Sequence, residues 1–459
     1  MLVWKCSCVL LICMAVKAEL FEMNYSEYHN YKTMTAFLKN ISEAYPNLTH
    51  LYSIGESYEG RQLWVMKISG GVDTILRPHV KLIANVNGNE SVGRELLLRF
   101  IEYLVNEYNN KNKMVRRILD YSHVHILPSM NPDGFETLLE KYSACSDLAQ
   151  SEGNENSNGV ILYADFNNTS PQKETLAVKK WMDDVPFVLS ATLNGGSISA
   201  FYPFDDHPED KFATDDDDIF KYLAFTYADK HEKMLFPNPC GGIDEPAVQT
   251  GGSYVPLEGS MMDFNYIAHG CMEVSFQISC HKYPFPEDLP DFWDANKEPI
   301  LAYLGAVRMG VRGLVIDEVG NPVPKATIRI RGRESAVFHT TSRGEFWRLL
   351  MDSPVYMFQV EAKGFETKEQ PIITKNPTSE DEWPMIVNIT LIRPGTKTTT
   401  STLRTVTTVN LTTPTYSYNT ETTEKDDVLD LAATSDVEAN IFPNWVLVVC
   451  LFVVFFTNR

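Results

Sequence analysis

A strand, an amphipathic helix and a second strand follow one another within residues 80–127, and this succession constrains the fold more than any other feature. Residues 91–108 carry apolar side chains near positions i, i+3, i+4 and i+7, the spacing of one buried helix face. The apolar segments 80–84 and 124–127 on either side are typical of buried strands. Because alternating strands and helices assemble into a parallel or mixed sheet covered by helices, residues 19–308 are predicted to form an α/β domain.

Beyond residue 308 the pattern changes to short strands separated by turns. Alternating apolar and polar residues occur at 313–317, 326–331 and 356–360. Their spacing predicts a small, all-β antiparallel sandwich over residues 309–394. Residues 395–435 are rich in threonine and have no apolar periodicity, which is typical of an O-glycosylated stalk rather than of a packed core.

Both ends of the chain carry apolar segments with the features of targeting signals. In residues 1–18, Lys5 precedes an apolar run and a small-residue cleavage site, which predicts a secretory signal peptide. In residues 436–459, a polar spacer precedes the apolar run 445–456, which as a helix would rise only about 18 Å against a hydrocarbon core of about 30 Å. This arrangement predicts a glycosylphosphatidylinositol (GPI) signal; the alternative is a short, poorly inserted membrane helix. The protein is therefore expected on the extracellular face of the plasma membrane, attached to the outer leaflet by a GPI anchor.

The chain is strongly acidic. Lys and Arg number 40 against 60 Asp and Glu, a formal net charge of −20, which excludes a nucleic acid partner because phosphates require a basic face. The acidity by itself does not identify any other partner. Four consecutive carboxylates, residues 215–218, precede an apolar pair and are predicted to lie at the start of a helix, where the helix dipole favours negative charge, rather than in a calcium site.

The cysteines and the glycosylation sequons fit a secreted protein. Of the 8 cysteines, three lie in the signal peptide and one in the tail, and the remaining even number predicts two disulfides of undetermined connectivity: Cys145, Cys240, Cys271 and Cys280. The N-x-S/T sequons, which predict a glycoprotein, lie at Asn24, Asn40, Asn47, Asn89, Asn167, Asn168, Asn388 and Asn410.

Six ordered segments carry a resemblance to a known family. They are GRQLWVMKISGG (60–71), NGNESVGRELL (87–97), PSMNPDGFE (128–136), SATLNGGSISAFYPFDD (190–206), PLEGSMMDFNY (256–266) and CMEVSFQISCHKYP (271–284). In order and spacing they resemble the carboxypeptidase N/E subfamily of zinc metallocarboxypeptidases. The resemblance implies a mixed-sheet metallocarboxypeptidase-like domain followed by a small transthyretin-like sandwich.

The same resemblance implies a catalytic zinc held by two His and one Glu, with water as the fourth ligand. The family's first two ligands lie in an H-x-x-E motif, and here that motif begins with Asn87 and keeps Glu90. The His of an L-H-G-G turn corresponds to Asn194, and the general base of an E-x-x-x-E-L-S-C strand corresponds to Gln277. Since a carboxamide is a poor zinc ligand and Gln carries no titrating proton, we predict no zinc cofactor.

The residues that would hold the substrate are also substituted. The family's Tyr corresponds to Val255 and a pocket Gln to Met262. The Arg of a G-R-x-N motif corresponds to Asn154, and the N-R pair of a D-L-N-R-N-F motif corresponds most simply to Asn167 and Asn168. The arginines that would clamp a substrate's terminal carboxylate are therefore predicted to be absent.

These substitutions favour a catalytically inactive pseudoenzyme, a cell-surface glycoprotein that binds a peptide or a cell-surface protein partner. A glycan on Asn89, inside the motif that corresponds to H-x-x-E, would obstruct the cleft; the alternative is an unoccupied sequon on a tight turn. The alternative is a zinc metallocarboxypeptidase that releases C-terminal Lys or Arg, for which Asp205, at the family's acidic specificity position, is retained. A third hypothesis, that the folded part is only a spacer on its stalk, predicts no affinity for peptides.

Overall fold

A mixed eight-stranded sheet forms the centre of the larger domain. The computed structural model describes residues 23–395, except residues 72–73, 207–212, 242–245, 379–381 and 383. The strands of this sheet are β1 (Thr49–Glu56), β2 (Gln62–Ile68), β3 (His79–Ala84), β4 (His123–Leu127), β5 (Phe187–Asn194), β6 (Ser197–Tyr202), β7 (Val248–Thr250) and β8 (Met272–Ser279).

The strand order across the sheet is β1-β2-β4-β3-β5-β8-β6-β7. The four central strands β4, β3, β5 and β8 run parallel to one another, whereas β2 and β6 join this group in antiparallel orientation. Every residue of β4 and β5 is buried, as expected for parallel strands covered on both faces. The predicted α/β fold with a mixed sheet is confirmed.

Helices cover both faces of this sheet. They are α1 (Tyr31–Ala44), α2 (Val92–Asn109), α3 (Lys113–Tyr121), α4 (Pro132–Lys141), α5 (Asp147–Ser151), α6 (Lys173–Asp184), α7 (Asp217–Ala228), α8 (Gly251–Tyr254), α9 (Met261–His269) and α10 (Leu289–Gly305). Apolar side chains of α1, α2, α7 and α10 pack on one face of the sheet, and those of α6 pack on the other.

The strand–helix–strand unit predicted from the sequence is present. The predicted helix 91–108 is observed as α2, one residue later at each end, and the strands beside it are β3 and β4. The side chains of Leu97, Phe100, Ile101 and Leu104 form the buried face of α2, at the spacing that predicted it.

The smaller domain is a β-sandwich. Its strands are β9 (Val311–Ile316), β10 (Thr327–Ile330), β11 (Arg333–His339), β12 (Glu345–Arg348), β13 (Ser353–Glu361), β14 (Lys368–Thr374), β15 (Met385–Ile386) and β16 (Ile389–Thr390). One sheet has the order β11-β10-β13-β14, and the other has the order β12-β9-β15, with β16 also paired to β9. Most neighbours are antiparallel, as predicted, but β15 and β16 run parallel to β9.

The acidic run 215–218 joins the two domains. It lies at the start of α7, as predicted, but its carboxylates also bind side chains of the sandwich. The fully buried Asp216 carboxylate accepts hydrogen bonds from Arg348 and, at 2.9 Å, from Arg333. Asp218 binds the same Arg333 guanidinium. The sandwich is therefore fixed to the larger domain by paired charges that the sequence pattern did not predict.

The prediction of two disulfides is wrong for this structure. Cys240 and Cys280 form a disulfide with a Cα–Cα distance of 5.4 Å, whereas Cys145 and Cys271 are free thiols. Cys271 immediately precedes β8, and the Cys145 N–H donates to Tyr283 O beyond the other end of that strand. Since β8 alone extends about 26 Å, at about 3.3 Å per residue, these two cysteines lie too far apart to pair.

The predicted signal peptide, the GPI signal and nearly all of the predicted stalk lie outside the described residues, as does the sequon at Asn410. Within the described part of the chain, no helix combines the length and the apolar character needed to cross a membrane.

Candidate functional site

A cleft of about 300 Å³ opens at the edge of the sheet where β3, β5 and β8 end. In α/β folds this carboxyl edge of the parallel strands is the usual position of ligand sites. Asn87 and Glu90 follow β3, Asn194 is the last residue of β5, and Gln277 of β8 lies opposite Asn194 in the sheet register. The structure thus brings together the four residues that the resemblance assigned to the metal and the general base.

The loop after β3 has a conformation that only a few residue types allow. A Cβ atom on Gly88 would lie 2.7 Å from Gly153 O and 2.8 Å from the Cα atom of Gly134, so a side chain does not fit there. The Asn85 amide donates hydrogen bonds to Asn87 O (3.0 Å) and Gly88 O (3.1 Å) and fixes the turn. This backbone directs Asn87 and Glu90 into the cleft.

Glu90 forms an ion pair within the cleft. Its Oε1 accepts a hydrogen bond from Asn87 Nδ2 (2.9 Å) and lies 3.4 Å from the Lys282 ammonium. Lys282 Nζ also donates to Asn154 Oδ1 (3.0 Å), so Asn154 lies beside the cleft. Burial raises the pKa of the Glu90 carboxyl above its ordinary value, although the Lys282 ammonium and the Asn87 amide oppose the rise.

Asn194 and Gln277 share a partner. Asn194 Nδ2 donates to Ser275 Oγ at 2.8 Å, and Gln277 Nε2 donates to the same oxygen at 3.2 Å. Asn194 is only 5% exposed. In the described part of the chain, Asn194 Oδ1 and Asn87 Oδ1 are buried without a hydrogen-bond partner. Both oxygens are enclosed by protein atoms rather than open to a ligand in the cleft.

Asp205 lies deep in the cleft and is buried. Its Oδ2 accepts a hydrogen bond from the Tyr163 hydroxyl (3.0 Å), and a Cβ atom on Gly251 would lie 1.6 Å from its Oδ1, so only glycine fits there. Burial raises the pKa of Asp205 to about 6, and burial together with the Asp205 charge raises the pKa of Asp263 to about 8. Asp205 is therefore a buried carboxyl group whose pKa is raised toward neutrality.

Val255 and Met262 differ in their access to the cleft. Val255, which the resemblance aligns with the family's Tyr, lies on the rim and is 59% exposed. Met262 is fully buried beneath Gly251, where a Cβ atom would lie 3.4 Å from its methyl group. Neither side chain can donate a hydrogen bond to a substrate.

The expected positions of Asn167 and Asn168 are wrong. Both side chains are exposed, and that of Asn168 donates to Asp165 instead of facing the cleft. Tyr163 lies in the cleft in their place. Reading residues 161–166 against D-L-N-R-N-F without a gap would have found it, because Leu162 and Phe166 keep the motif's apolar positions and Tyr163 and Ala164 then replace the N-R pair.

The side chains in the cleft do not fit a zinc ion. The two carboxamides use their nitrogens in hydrogen bonds, and a lysine ammonium lies beside the one remaining carboxylate. Zinc sites of this kind require imidazole nitrogens in addition to a carboxylate. Elsewhere in the described residues, no group of three or more His, Cys, Asp or Glu is arranged to hold a metal ion.

A glycan on Asn89 does not fit this structure, which favours the alternative of an unoccupied sequon. The Asn89 side chain is fully buried, and its Nδ2, the atom to which a glycan would be attached, donates to Ala149 O and Glu152 O at 2.9 Å each. A glycan would have to displace α5 and the loop beyond it. The other sequons within the described residues are at least partly exposed and remain predictions: Asn24, Asn40, Asn47, Asn167, Asn168 and Asn388.

The fold and the cleft are those of a carboxypeptidase-like protein. Residues 34–299 match the zinc carboxypeptidase family, and residues 310–392 match the carboxypeptidase regulatory-like domain. The chain therefore belongs to the zinc carboxypeptidase family, which confirms the family predicted from the six motifs.

The chain is also similar to individual carboxypeptidases. The chain is 38% identical over 357 residues to carboxypeptidase M of Mus musculus, and this alignment covers 74% of this chain and 79% of that protein. It is 36% identical over 418 residues to carboxypeptidase E of Caenorhabditis elegans, with 81% of this chain and 88% of that protein covered. It is 37% identical over 387 residues to human carboxypeptidase D, covering 80% of this chain but only 27% of that protein.

Solved structures show the same fold at much lower identity. Thrombin activatable fibrinolysis inhibitor aligns over 61% of this chain and 74% of that chain, with a TM-score of 0.50 and 16% identity. Carboxypeptidase A from Helicoverpa armigera aligns over the same shares, with a TM-score of 0.50 and 15% identity.

Proposed function

We propose that this chain is a non-catalytic member of its family, a cell-surface glycoprotein whose cleft binds a peptide or a partner protein without hydrolysing it. The observation that carries the proposal is the set of side chains in the cleft. Asn87, Asn194 and Gln277 occupy the positions that the resemblance assigns to two zinc ligands and the general base. Lys282 places an ammonium 3.4 Å from Glu90, where the enzymes of this family hold their metal with a carboxylate.

The chemistry of hydrolysis would lack its three main contributions. Zinc would polarise the scissile carbonyl and acidify the attacking water, and a carboxylate base would transfer the proton. Amide side chains supply none of these effects at neutral pH, because they carry no charge and no titrating proton. A bound peptide would therefore remain intact in the cleft.

The alternative function, release of C-terminal Lys or Arg as a zinc enzyme, has one observation in its favour. Glu90 and Asp205 are both retained and both line the cleft. This function would require a metal held by Glu90 together with carboxamide oxygens, and proton transfer without a carboxylate at residue 277.

A release assay separates the two functions. The purified protein is incubated with peptides ending in Lys or Arg, with zinc added in one arm and a chelator in the other, and carboxypeptidase M serves as the positive control. We expect no release above the rate in buffer alone in either arm. Zinc-dependent release that the chelator abolishes would establish the alternative and contradict our proposal.

We also propose that the protein is GPI-anchored on the extracellular face of the plasma membrane. The short apolar run 445–456, the polar spacer before it and the amino-terminal signal support this location. Treatment of expressing cells with a phosphatidylinositol-specific phospholipase should release the protein into the medium. Retention of surface protein after treatment that releases a known GPI-anchored control would contradict the anchor.

A further inference from the structure

Four histidines lie together at the end of the central sheet opposite to the cleft. His79 and His123 are the first residues of the parallel strands β3 and β4, and His125 follows on the same face of β4. The ring centroid of His79 lies 4.6 Å from that of His123 and 5.1 Å from that of His125. His50, on the edge strand β1, stacks on Tyr52 at 5.7 Å. We call His50, His79, His123 and His125 the histidine cluster.

A chain of hydrogen bonds runs through this cluster. Trp181 Nε1 donates to the Tyr52 hydroxyl at 2.9 Å, and that hydroxyl lies 2.7 Å from His125 Nδ1. His125 Nε2 in turn lies 2.9 Å from His79 Nδ1. In this last contact one imidazole nitrogen must donate and the other must accept, whichever tautomers are present. His79 and His125 therefore cannot both be protonated while the contact is kept.

The charges around the cluster also oppose protonation. Burial, together with the cations Lys67, Arg77 and Arg343, lowers the pKa of His123 to about 3. Burial, followed by the neighbouring His79 and Lys67, lowers the pKa of His125 well below its ordinary value. Both side chains are almost completely buried, so water cannot disperse an added charge.

Two carboxylates on neighbouring elements are engaged with other partners. His125 lies opposite Lys81 in the sheet register, and the Lys81 ammonium pairs with the buried Glu273 carboxylate of β8 at 3.0 Å. Asp183, near the carboxyl end of α6, contacts His269 at 3.9 Å. A proton taken up by the cluster would therefore lie close to cations that repel it.

The contacts of the cluster connect an edge hairpin to the rest of the sheet. β1 and β2 form this antiparallel hairpin, and β2 joins β4 over the short stretch 66–68. Tyr52 of β1 reaches past β2 to His125 of β4, and Ser69, just after β2, lies 2.9 Å from His123 Nδ1. Protonation of either histidine would weaken the attachment of the hairpin.

We propose that the histidine cluster is an acid-sensitive latch, which holds the β1–β2 hairpin on the central sheet at neutral pH and loosens it as the pH falls toward 5. An imidazole that is neutral in the closed state takes up a proton when the hairpin opens, because the ordinary pKa of His is about 6.5. The closed state is therefore fully stabilised above about pH 6.5, and this stabilisation is lost as the pH falls below that value toward the lowered pKa values of the closed state.

Hydrogen exchange of the full chain, followed by mass spectrometry at pH 7 and at pH 5, tests the latch. After correction for intrinsic exchange rates, we expect the opening constant of the hairpin peptides to rise at least about twentyfold at pH 5. This is the factor for one His with a pKa of about 3 when closed and about 6.5 when open. Peptides from the centre of α2 should keep their protection. Unchanged protection of the hairpin, or an equal loss in α2, would overturn the inference.

Variants assign the response to the cluster. His123→Asn keeps a polar group near Ser69 but has no titrating imidazole, so the rise in the opening constant should be about twentyfold smaller than in the natural chain. His339→Asn, on the exposed part of β11, is the matched control and should respond to acid as the natural chain does.

Thermal unfolding shows whether His123→Asn has kept its fold. If it has not, His125→Gln takes its place, and it should likewise reduce the rise in the opening constant. A folded variant of either kind that responds to acid like the natural chain would overturn the inference. The described lining residues of the cleft include none of these histidines, so the release assay and this test are decided independently.

Discussion

At the scale of single residues, the cleft combines neutral amide side chains with one ion pair. Asn87, Asn194 and Gln277 are neutral, and the Glu90 carboxylate beside Asn87 forms an ion pair with Lys282 at 3.4 Å. Lys282 therefore contributes to stability as well as to the electrostatics of the cleft.

Replacement of Lys282 by Met should destabilise the protein in a pH-dependent manner. Burial already raises the pKa of Glu90, and loss of the ammonium would make its ionised form costlier in the folded state. We expect the free energy of unfolding to fall by about 2 kcal/mol at pH 7, less than for a fully buried pair because Lys282 is partly exposed. The loss should shrink as the pH falls and Glu90 becomes protonated in both the folded and the unfolded state.

Urea unfolding at several pH values measures this effect, and the same Lys282→Met change in a Glu90→Gln background is the control. With no carboxylate to ionise, the double variant should show little pH-dependent loss. A loss of equal size in both backgrounds would mean that Lys282 acts by packing alone.

At the scale of elements, the sequence predicted what depends on local periodicity. The buried face of α2 and the strands β3 and β4 follow from the spacing of apolar residues, and each was placed to within one residue. The proximity of Asn87, Asn194 and Gln277 was predicted only through the family resemblance, because no local pattern determines which strands become neighbours in the sheet.

Two features of the structure were predicted wrongly from the sequence. Tyr163 was missed because the N-R pair of the D-L-N-R-N-F motif was placed on Asn167 and Asn168. A second disulfide was predicted wrongly, because an even number of cysteines does not reveal that β8 separates Cys145 from Cys271. The disulfide error concerns a distance in space that local sequence does not encode, whereas the ungapped reading of residues 161–166 was enough to place Tyr163.

The disulfide pattern gives a prediction at this scale. Peptide mapping after alkylation of the denatured, unreduced protein should find Cys240 and Cys280 in one linked peptide and both Cys145 and Cys271 alkylated. The control is the same map after reduction, which should show all four alkylated. A peptide linking Cys145 to Cys271 would contradict the arrangement described above.

At the scale of the whole molecule, the acidic run at the start of α7 makes the sandwich part of the larger fold. Although burial opposes ionisation of Asp216, the Arg348 guanidinium holds the pKa of that carboxyl below its ordinary value. The ion pair between Asp216 and Arg348 therefore stabilises the fold fully above the ordinary pKa of aspartate, about 4. This stabilisation is lost as the pH falls toward the lowered pKa of Asp216.

Replacement of Asp216 by Asn should lower the free energy of unfolding by about 3 kcal/mol at pH 7, because it leaves the buried Arg348 without its carboxylate. The matched control is Asp217→Asn in the same run, whose carboxylate pairs with the exposed Lys221, and it should cost less than about 1 kcal/mol. Calorimetric unfolding measures both, and equal effects of the two variants would contradict a special role for Asp216.

The zinc content of the purified protein tests the central claim most directly. The protein and its Asn87→His/Asn194→His/Gln277→Glu variant are loaded with zinc, dialysed without chelator and analysed by atomic emission. Our account predicts no stoichiometric zinc in the natural chain and about one zinc ion per chain in the variant, which would regain the ligand set of two His and one Glu. One zinc per natural chain would contradict the account, and a variant that folds but binds no zinc would show that these positions do not form the family's metal site.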